Sequence, residues 1–145
     1  MVPPWKRPES VLVLVHAGGQ VLLLERREPR GYWQSVTGSL EWSETPLEAA
    51  LRELREETGL APPRIEDCRQ STAFPIHPAW RARYAPDVSE NLEHLFRVEL
   101  PAPIPVEIDP REHHTYQWFP ADEAARRVAS QTNRQAILNY VGGYS

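Results

Sequence analysis

The chain has a single cysteine, Cys68, among its 145 residues. That excludes an internal disulfide and any zinc or redox site built on a Cys-x-x-Cys pair. Positive charge is also scarce, with 16 Lys and Arg against 20 Asp and Glu and a net charge of -4. Sequence-independent binding to duplex nucleic acid depends on many cations set against phosphates, so duplex nucleic acid is not an expected partner. Long apolar runs are missing too. The run near the N-terminus, Val11 to Val15, is too short for a signal h-region or a membrane span. The expectation is a soluble, cytoplasmic protein with no membrane partner, working as a monomer or homodimer.

What is present, 41% hydrophobic and 25% charged residues over this length, suits one globular domain spanning 1–145. Val11 to Val15 and Val21 to Leu24 read as antiparallel strands joined through Gly18 and Gly19, which supply the positive φ angles of a tight hairpin. Tyr32 to Val36 reads as a short strand. Further strands are expected around Asp67 to Phe74, Leu92 to Leu100 and Thr115 to Phe119, with Pro75 to Ser89 as a loop. Ala121 to Ala129 and Thr132 to Val141 read as helices, the second opening on a capping pattern of Thr132 and Gln135.

The segment after Gly38 is charged and periodic. Thr45-Pro46-Leu47-Glu48 has the form of a capping box with proline at the first helical position, and Gly59 stands where a left-handed C-cap belongs. The spacing predicts a helix over 46–58, with Leu47, Ala50, Leu51 and Leu54 as its buried stripe. Glu53, Glu56 and Glu57, at i, i+3 and i+4, then share a face turned away from that stripe. Three like charges repel, and acids near a helix C-terminus oppose its dipole. A solvated face partnered by Arg52 and Arg55 is the ordinary explanation of one such triplet. A divalent cation is the other: oxygen-only ligands select hard ions, and Mg²⁺ is typically shared between carboxylates, water and substrate phosphates. On that reading the partner is a small-molecule polyphosphate.

The longer pattern decides between them. GSLEWSETPLEAALRELREETGL places Gly38, Glu44, Arg52, Glu53, Leu54, Glu56, Glu57, Gly59 and Leu60 at the fixed positions of the Nudix box, and on these residues the chain resembles the Nudix hydrolases. The resemblance implies an α/β protein, an α/β/α sandwich with a mixed sheet and a loop-helix-loop catalytic box. It implies Mg²⁺, with Mn²⁺ as a substitute, held by Glu53, Glu56 and Glu57. Arg52 corresponds to the arginine that orients the glutamates and Glu44 to its ionic partner, while Gly38 and Gly59 shape the box.

A further carboxylate commonly completes such sites as metal ligand or general base. Glu112 is the first choice, because E-H-x-x-Y-x-W resembles that family position, and Glu93 is the reserve. Where relatives carry Pro-Gly-Gly this chain has Val36-Thr37-Gly38, so a carbonyl ligand at position 37 would come from Thr37. Arg27 aligns with a phosphate contact of the family, and Arg26 lies beside it; Lys6, Arg83 and Tyr84 are further candidates for the substrate. Trp33, Phe74 and Trp80 could stack on a flat ring as well as pack. His113 and His114 are expected at the surface or behind the ligands. The implied mechanism is attack of a metal-activated water, with Arg52 positioning and Glu56, Glu57 or Glu112 taking the proton.

Lys6-Arg7-Pro8, W-Q-S-V-T-G-S at 33–39, R-Y-A-P at 83–86 and N-R-Q-A-I at 133–137 narrow the resemblance to the branch of the family that cleaves dihydroneopterin triphosphate in folate biosynthesis. A house-cleaning hydrolase of dATP or oxidised dGTP, or of dinucleoside polyphosphates, uses the same chemistry. A non-catalytic nucleotide sensor is the alternative of another class.

Overall fold

Val11–Val15 and Val21–Leu24 are apolar at successive positions rather than alternate ones, so both faces of these strands need cover. The computed structural model, which describes residues 3–141, supplies it with helices on each side. The six terminal residues of the expected 1–145 domain lie outside the described residues. Seven strands form one mixed sheet: β1 Glu9–Ala17, β2 Gln20–Arg26, β3 Trp33–Gln34, β4 Val36–Ser39, β5 Glu66–Pro75, β6 Glu90–Glu99 and β7 His113–Pro120. Helix α1, Pro46–Thr58, packs on the face of Val11, Val13, Val15, Phe96 and Val98. Helices α2, Ala121–Arg127, and α3, Gln131–Tyr140, cover the opposite face through Leu12, Leu14, Leu23 and Leu95. The architecture is the expected α/β/α sandwich.

The site depends on how the first hairpin opens. Gly18 and Gly19, at φ +56° and +79°, make a two-residue turn, yet β1 and β2 pair only at His16–Val21 and Ala17–Gln20. Beyond that the strands part, and residues 33–39 fill the gap: β3 pairs with β2 at Leu24 and Glu25, then β4 pairs with β1 from Ser10 to Val13. The expected single strand Tyr32 to Val36 is therefore two strands, broken at Ser35 where the chain crosses from one partner to the other. Asn133 of α3 holds the crossing. Its Oδ1 accepts from the Ser35 amide at 2.9 Å and its Nδ2 donates to Ser35 Oγ at 2.9 Å, all of it buried. On their outer sides β1 runs parallel to β6 and β2 antiparallel to β7.

Helix α1 has the expected ends. Thr45 and Glu48 close a reciprocal capping box, and Gly59, at φ +75°, donates its N–H to the Arg55 carbonyl. Its buried face differs from the expected one. Ala49, Ala50, Leu54, Glu57 and Thr58 are buried, whereas Leu47 and Leu51 are 45% and 37% exposed. The small side chains Ala49 and Ala50 let the helix lie close on β1 and β4, and this rotation carries Glu57 inward. Glu57 thus belongs to the buried face, not to one turned away from it.

Two other elements depart from expectation. Pro75 to Ser89 contains a 3-10 helix, Pro78–Arg83, capped by the His77 ring and flanked by buried Ile76 and Tyr84. Helix α3 begins at Gln131 with Ser130 as cap, accepting from the Asn133 amide at 3.2 Å, in place of Thr132. The Thr132 hydroxyl instead bonds Ser130 Oγ at 2.9 Å.

Candidate active site

The open end of the hairpin forms a cavity of about 1050 Å³ reached by β1, β4, α1, the 3-10 helix, β6 and the start of β7. Gly38 fixes its deepest contact. A Cβ at this position would overlap the Glu53 carboxyl, so the glycine lets the Glu53 head group lie directly on the β4 backbone.

Glu53 and Glu57 meet there as neighbouring carboxyls. Burial raises both carboxyls above the usual range. Glu57 rises further, because Glu53 and Glu112 add negative charge around it, and the Thr37 amide opposes the shift by donating to it. Glu57 is 2% exposed, and its Oε1 has no hydrogen-bond partner. A buried carboxylate oxygen facing other acids without a donor is costly. A hard divalent cation supplies what the group lacks, and the all-oxygen donor set of Glu53, Glu57 and nearby Glu112 fits one. Among the described residues, no three acidic, histidine or cysteine side chains already converge at ligand distances.

Arg52 organises the neighbouring acids. Its guanidinium donates to both Glu44 oxygens, from Nε at 2.6 Å and Nη2 at 2.8 Å, to Glu53 Oε1 at 2.7 Å and to the Ser39 carbonyl at 3.0 Å. The bidentate Glu44 contact holds that carboxyl below the ordinary range and raises the guanidinium above its own. Glu56, also an expected ligand, is not part of the cavity lining; its half-exposed side chain lies 3.4 Å from Arg52 Nη1.

Of the expected carboxylates, the structure brings Glu53 and Glu57 together and sets Glu112 close by. Glu112 is exposed in the loop that enters β7, and its carbonyl accepts from the Arg27 amide at 3.0 Å. Thr37 is adjacent to Glu57 through its backbone, with Oγ1 bonded to the Val11 carbonyl at 2.9 Å. Residues on an antiparallel strand send N–H and C=O to the same side, so the Thr37 carbonyl leaves β4 toward Glu57 as well.

Cations line the same cavity. Lys6, Arg26, Arg27 and Arg83 all reach the cavity wall. The Lys6 ammonium lies 5.8 Å from the Tyr84 ring centre and is pushed below its usual value, first by burial and then by Arg83, with Glu53 pulling the other way. Arg26 stacks on Tyr32 at 5.6 Å, and Arg27 Nη1 donates to the Pro110 carbonyl at 2.8 Å. Tyr84 is buried, and that burial raises its phenol. Phe74 and Trp80 border the same space, while Trp33 packs edge-on against Phe119 in the core.

His113 takes the second of its two expected places, behind the ligands, and Arg7 has a function that the sequence did not disclose. His113 is 3% exposed, with Nε2 3.7 Å from Glu57 Oε1; burial lowers its pKa and keeps the ring neutral, so it packs behind Glu57 as a polar wall. His114 is exposed. Arg7 points away from the cavity and donates to the carbonyls of Glu41, Trp42 and Glu44, bracing the loop that delivers Glu44. The Lys6-Arg7-Pro8 motif held the only sequence signal for it.

The NUDIX domain model matches residues 6–140. The dihydroneopterin triphosphate diphosphatase of Escherichia coli K12 is 40% identical over 143 residues, covering 94% of this chain and 94% of that protein. The enzyme of the same name from Haemophilus influenzae is 38% identical, covering 94% of this chain and 89% of its own. The solved structure of the E. coli dihydroneopterin triphosphate pyrophosphohydrolase superposes with a TM-score of 0.87 at 39% identity, covering 96% of this chain and 98% of that one. With its fold, its box residues and these matches in agreement, the chain belongs to the NUDIX domain family as a Nudix hydrolase.

Proposed function

We propose that this single-domain chain hydrolyses dihydroneopterin triphosphate to the monophosphate and pyrophosphate, with Mg²⁺ as its resident ion and Mn²⁺ as a substitute, as a cytoplasmic step of folate biosynthesis. The observation that carries it is the Glu53–Glu57 pair, with Glu57 buried and one of its oxygens unpartnered, in a cavity also lined by Lys6, Arg26, Arg27 and Arg83. The relatives' activity supports the choice of substrate.

Glu53 and Glu57 would hold the ion, with Glu112, Glu56 and the Thr37 carbonyl completing the ligands. A bound Mg²⁺ supplies charge neutralisation for the phosphates and acidifies water. The chain's own residues do the rest. Arg52 fixes the Glu53 head group so that it need not reorganise, and Gly38 leaves room for it. Lys6, Arg26, Arg27 and Arg83 draw the polyphosphate in and offset its charge. Neutral His113 walls off Glu57 from bulk water. One of Glu56, Glu57 and Glu112 would take the proton from the attacking water.

Hydrolysis with Mg²⁺, followed as pyrophosphate release from dihydroneopterin triphosphate, dATP and oxidised dGTP and as nucleotide formation from a dinucleoside polyphosphate, tests the reading. The pterin should show the highest kcat/KM, and Glu57→Gln should lower kcat by about 10²- to 10⁴-fold. A purine nucleotide in first place would remove the pathway and leave the chemistry. No cleavage of any of the four would remove both.

A further inference from the structure

The cavity continues past the glutamates to an end with a different chemistry. On β6, Asn91 and Glu93 are two residues apart, so both side chains leave the same face of the strand. Ser10 of β1 pairs with Glu93 on one side and with Ser39 of β4 on the other. Glu93 thus lies two strands from β4, on the sheet face covered by α3, while Glu53 is seated over Gly38 on the face covered by α1, and the one cavity is lined by both.

Both residues are buried, Asn91 to 6% and Glu93 to 9% exposure, and both line the cavity. Asn91 Nδ2 donates to Ser10 Oγ at 2.8 Å, and Oδ1 has no partner. Among the described residues, no Lys, Arg or His is within salt-bridge distance of Glu93. Burial raises its carboxyl, opposed only by the Thr132 hydroxyl. Unlike the pair at Glu57, this acid has no second carboxylate against it, so it does not call for a metal ion. An amide oxygen without a donor and, beside it, a carboxylate with one neighbouring hydroxyl and no cation are complementary to N–H groups brought in by a ligand.

We infer that Asn91 and Glu93 read the heterocycle of the substrate, with the Glu93 carboxylate accepting from the ring N–H and the exocyclic amine of a 2-amino-4-oxo ring such as a pterin. Two parallel N–H groups on one edge match the two oxygens of a carboxylate, as a guanidinium does. Asn91 Oδ1 is placed to accept a further N–H at the same end. The assignment rests on the proposed reading of this cavity as the site of a heterocycle polyphosphate, and it makes Glu93 a specificity determinant with no part in the phosphate chemistry. A 2,4-dioxo ring, with an oxygen in place of the amine, would set a carbonyl against the carboxylate and be rejected.

The test uses the rings alone, without metal or phosphate. Binding of pterin and of lumazine, its 2,4-dioxo counterpart, is followed by ring fluorescence in native protein and in Glu93→Gln. Native protein should favour pterin by about 10- to 100-fold, the range of one good bidentate contact. The preference should collapse toward unity in the variant. The thermal midpoint of Glu93→Gln should not fall, because an amide replaces a buried acid; if that variant does not fold, the native ratio still decides. In parallel, the kcat/KM ratio of dihydroneopterin triphosphate to inosine triphosphate, which lacks the amine, should drop by a similar factor in Glu93→Gln. Equal affinity for the two rings, no binding of either, or a preference unchanged in the variant would overturn the assignment. Hydrolysis of the pterin triphosphate with no dependence on Glu93 removes this inference and leaves the proposed reaction. Selective pterin binding without hydrolysis does the reverse.

Discussion

Glu57 and Glu93 are two buried acids in one cavity, both raised above the usual carboxylate range by burial, and their surroundings differ in kind. Glu57 faces Glu53 and Glu112, with the Arg52–Glu44 clamp holding the neighbouring head group in place. Glu93 faces Asn91, Ser10 and Thr132, all neutral. Burial alone therefore does not define what a carboxylate is for; the sign and number of its neighbours do. Crowded acids are stabilised by a cation, and a solitary one by donors that arrive with the ligand.

The contrast can be broken at several points. After the loss already expected of Glu57→Gln, the largest effect is expected from Arg52→Ala, which frees the Glu53 and Glu44 head groups. Steady-state kinetics should show kcat/KM lower by about 10- to 100-fold, the range for losing an orienting contact behind a metal ligand, while the pterin-to-lumazine preference persists. Loss of both would mean that the two ends are not separable.

Next comes the metal. Glu53 and Glu57 have raised folded pKa values, so their contribution to stability is present below the unfolded value and is lost as pH rises through the folded one. In EDTA the thermal midpoint should carry a component that falls as pH rises above the ordinary carboxylate value of 4.5. Glu57→Gln should weaken that component. Saturating Mg²⁺ should offset it increasingly with pH, by about 2.7 kcal/mol at a hundred times its Kd. Mg²⁺ stabilisation that does not grow with pH would separate the ion from this pair.

Asn133→Ala removes two buried hydrogen bonds at the Ser35 crossing and should cost about 1–3 kcal/mol in a denaturant titration. It lines the cavity and holds the crossing into β4, so both activity and ring binding should weaken. The smallest effect is expected at Leu51→Ala, within about 0.5 kcal/mol as for other exposed positions. Leu54→Ala, in the core, provides the scale at about 2–5 kcal/mol.

Legibility in the sequence follows the range of the interactions. Both ends of α1 could be read because Thr45, Glu48 and Gly59 act through contacts a few residues apart. The glutamates were legible because the box sets them at fixed intervals along one helix. The stripe misled because Leu47 and Leu51 have the right period, while the choice of face belongs to β1 and β4, which accept Ala49 and Ala50. Ser130 and Thr132 are both competent caps, and only the tertiary path selects Ser130. The break at Ser35, the burial of His113 and the brace formed by Arg7 depend on contacts with partners 98, 56 and at least 34 residues away, which no local period encodes. Glu93 was legible as an acid and hidden as a lone one.

The position of β5 has a consequence for how the molecule breathes. It is paired on one side only, to β6, largely exposed, and its ladder breaks between Asp67 and Ser71, where Arg69 takes φ +55°. β1, by contrast, shares ladders with β2, β4 and β6. Amide protons of β1 should exchange only with global opening, while those of β5 should exchange through local openings of much lower free energy. Phe74 and Pro75 carry this loosely held strand to the wall beside Asn91. The cavity wall beside Asn91 thus includes a strand held from one side with a broken ladder, whereas the backbone under Glu53 is β4, laddered directly to the central β1.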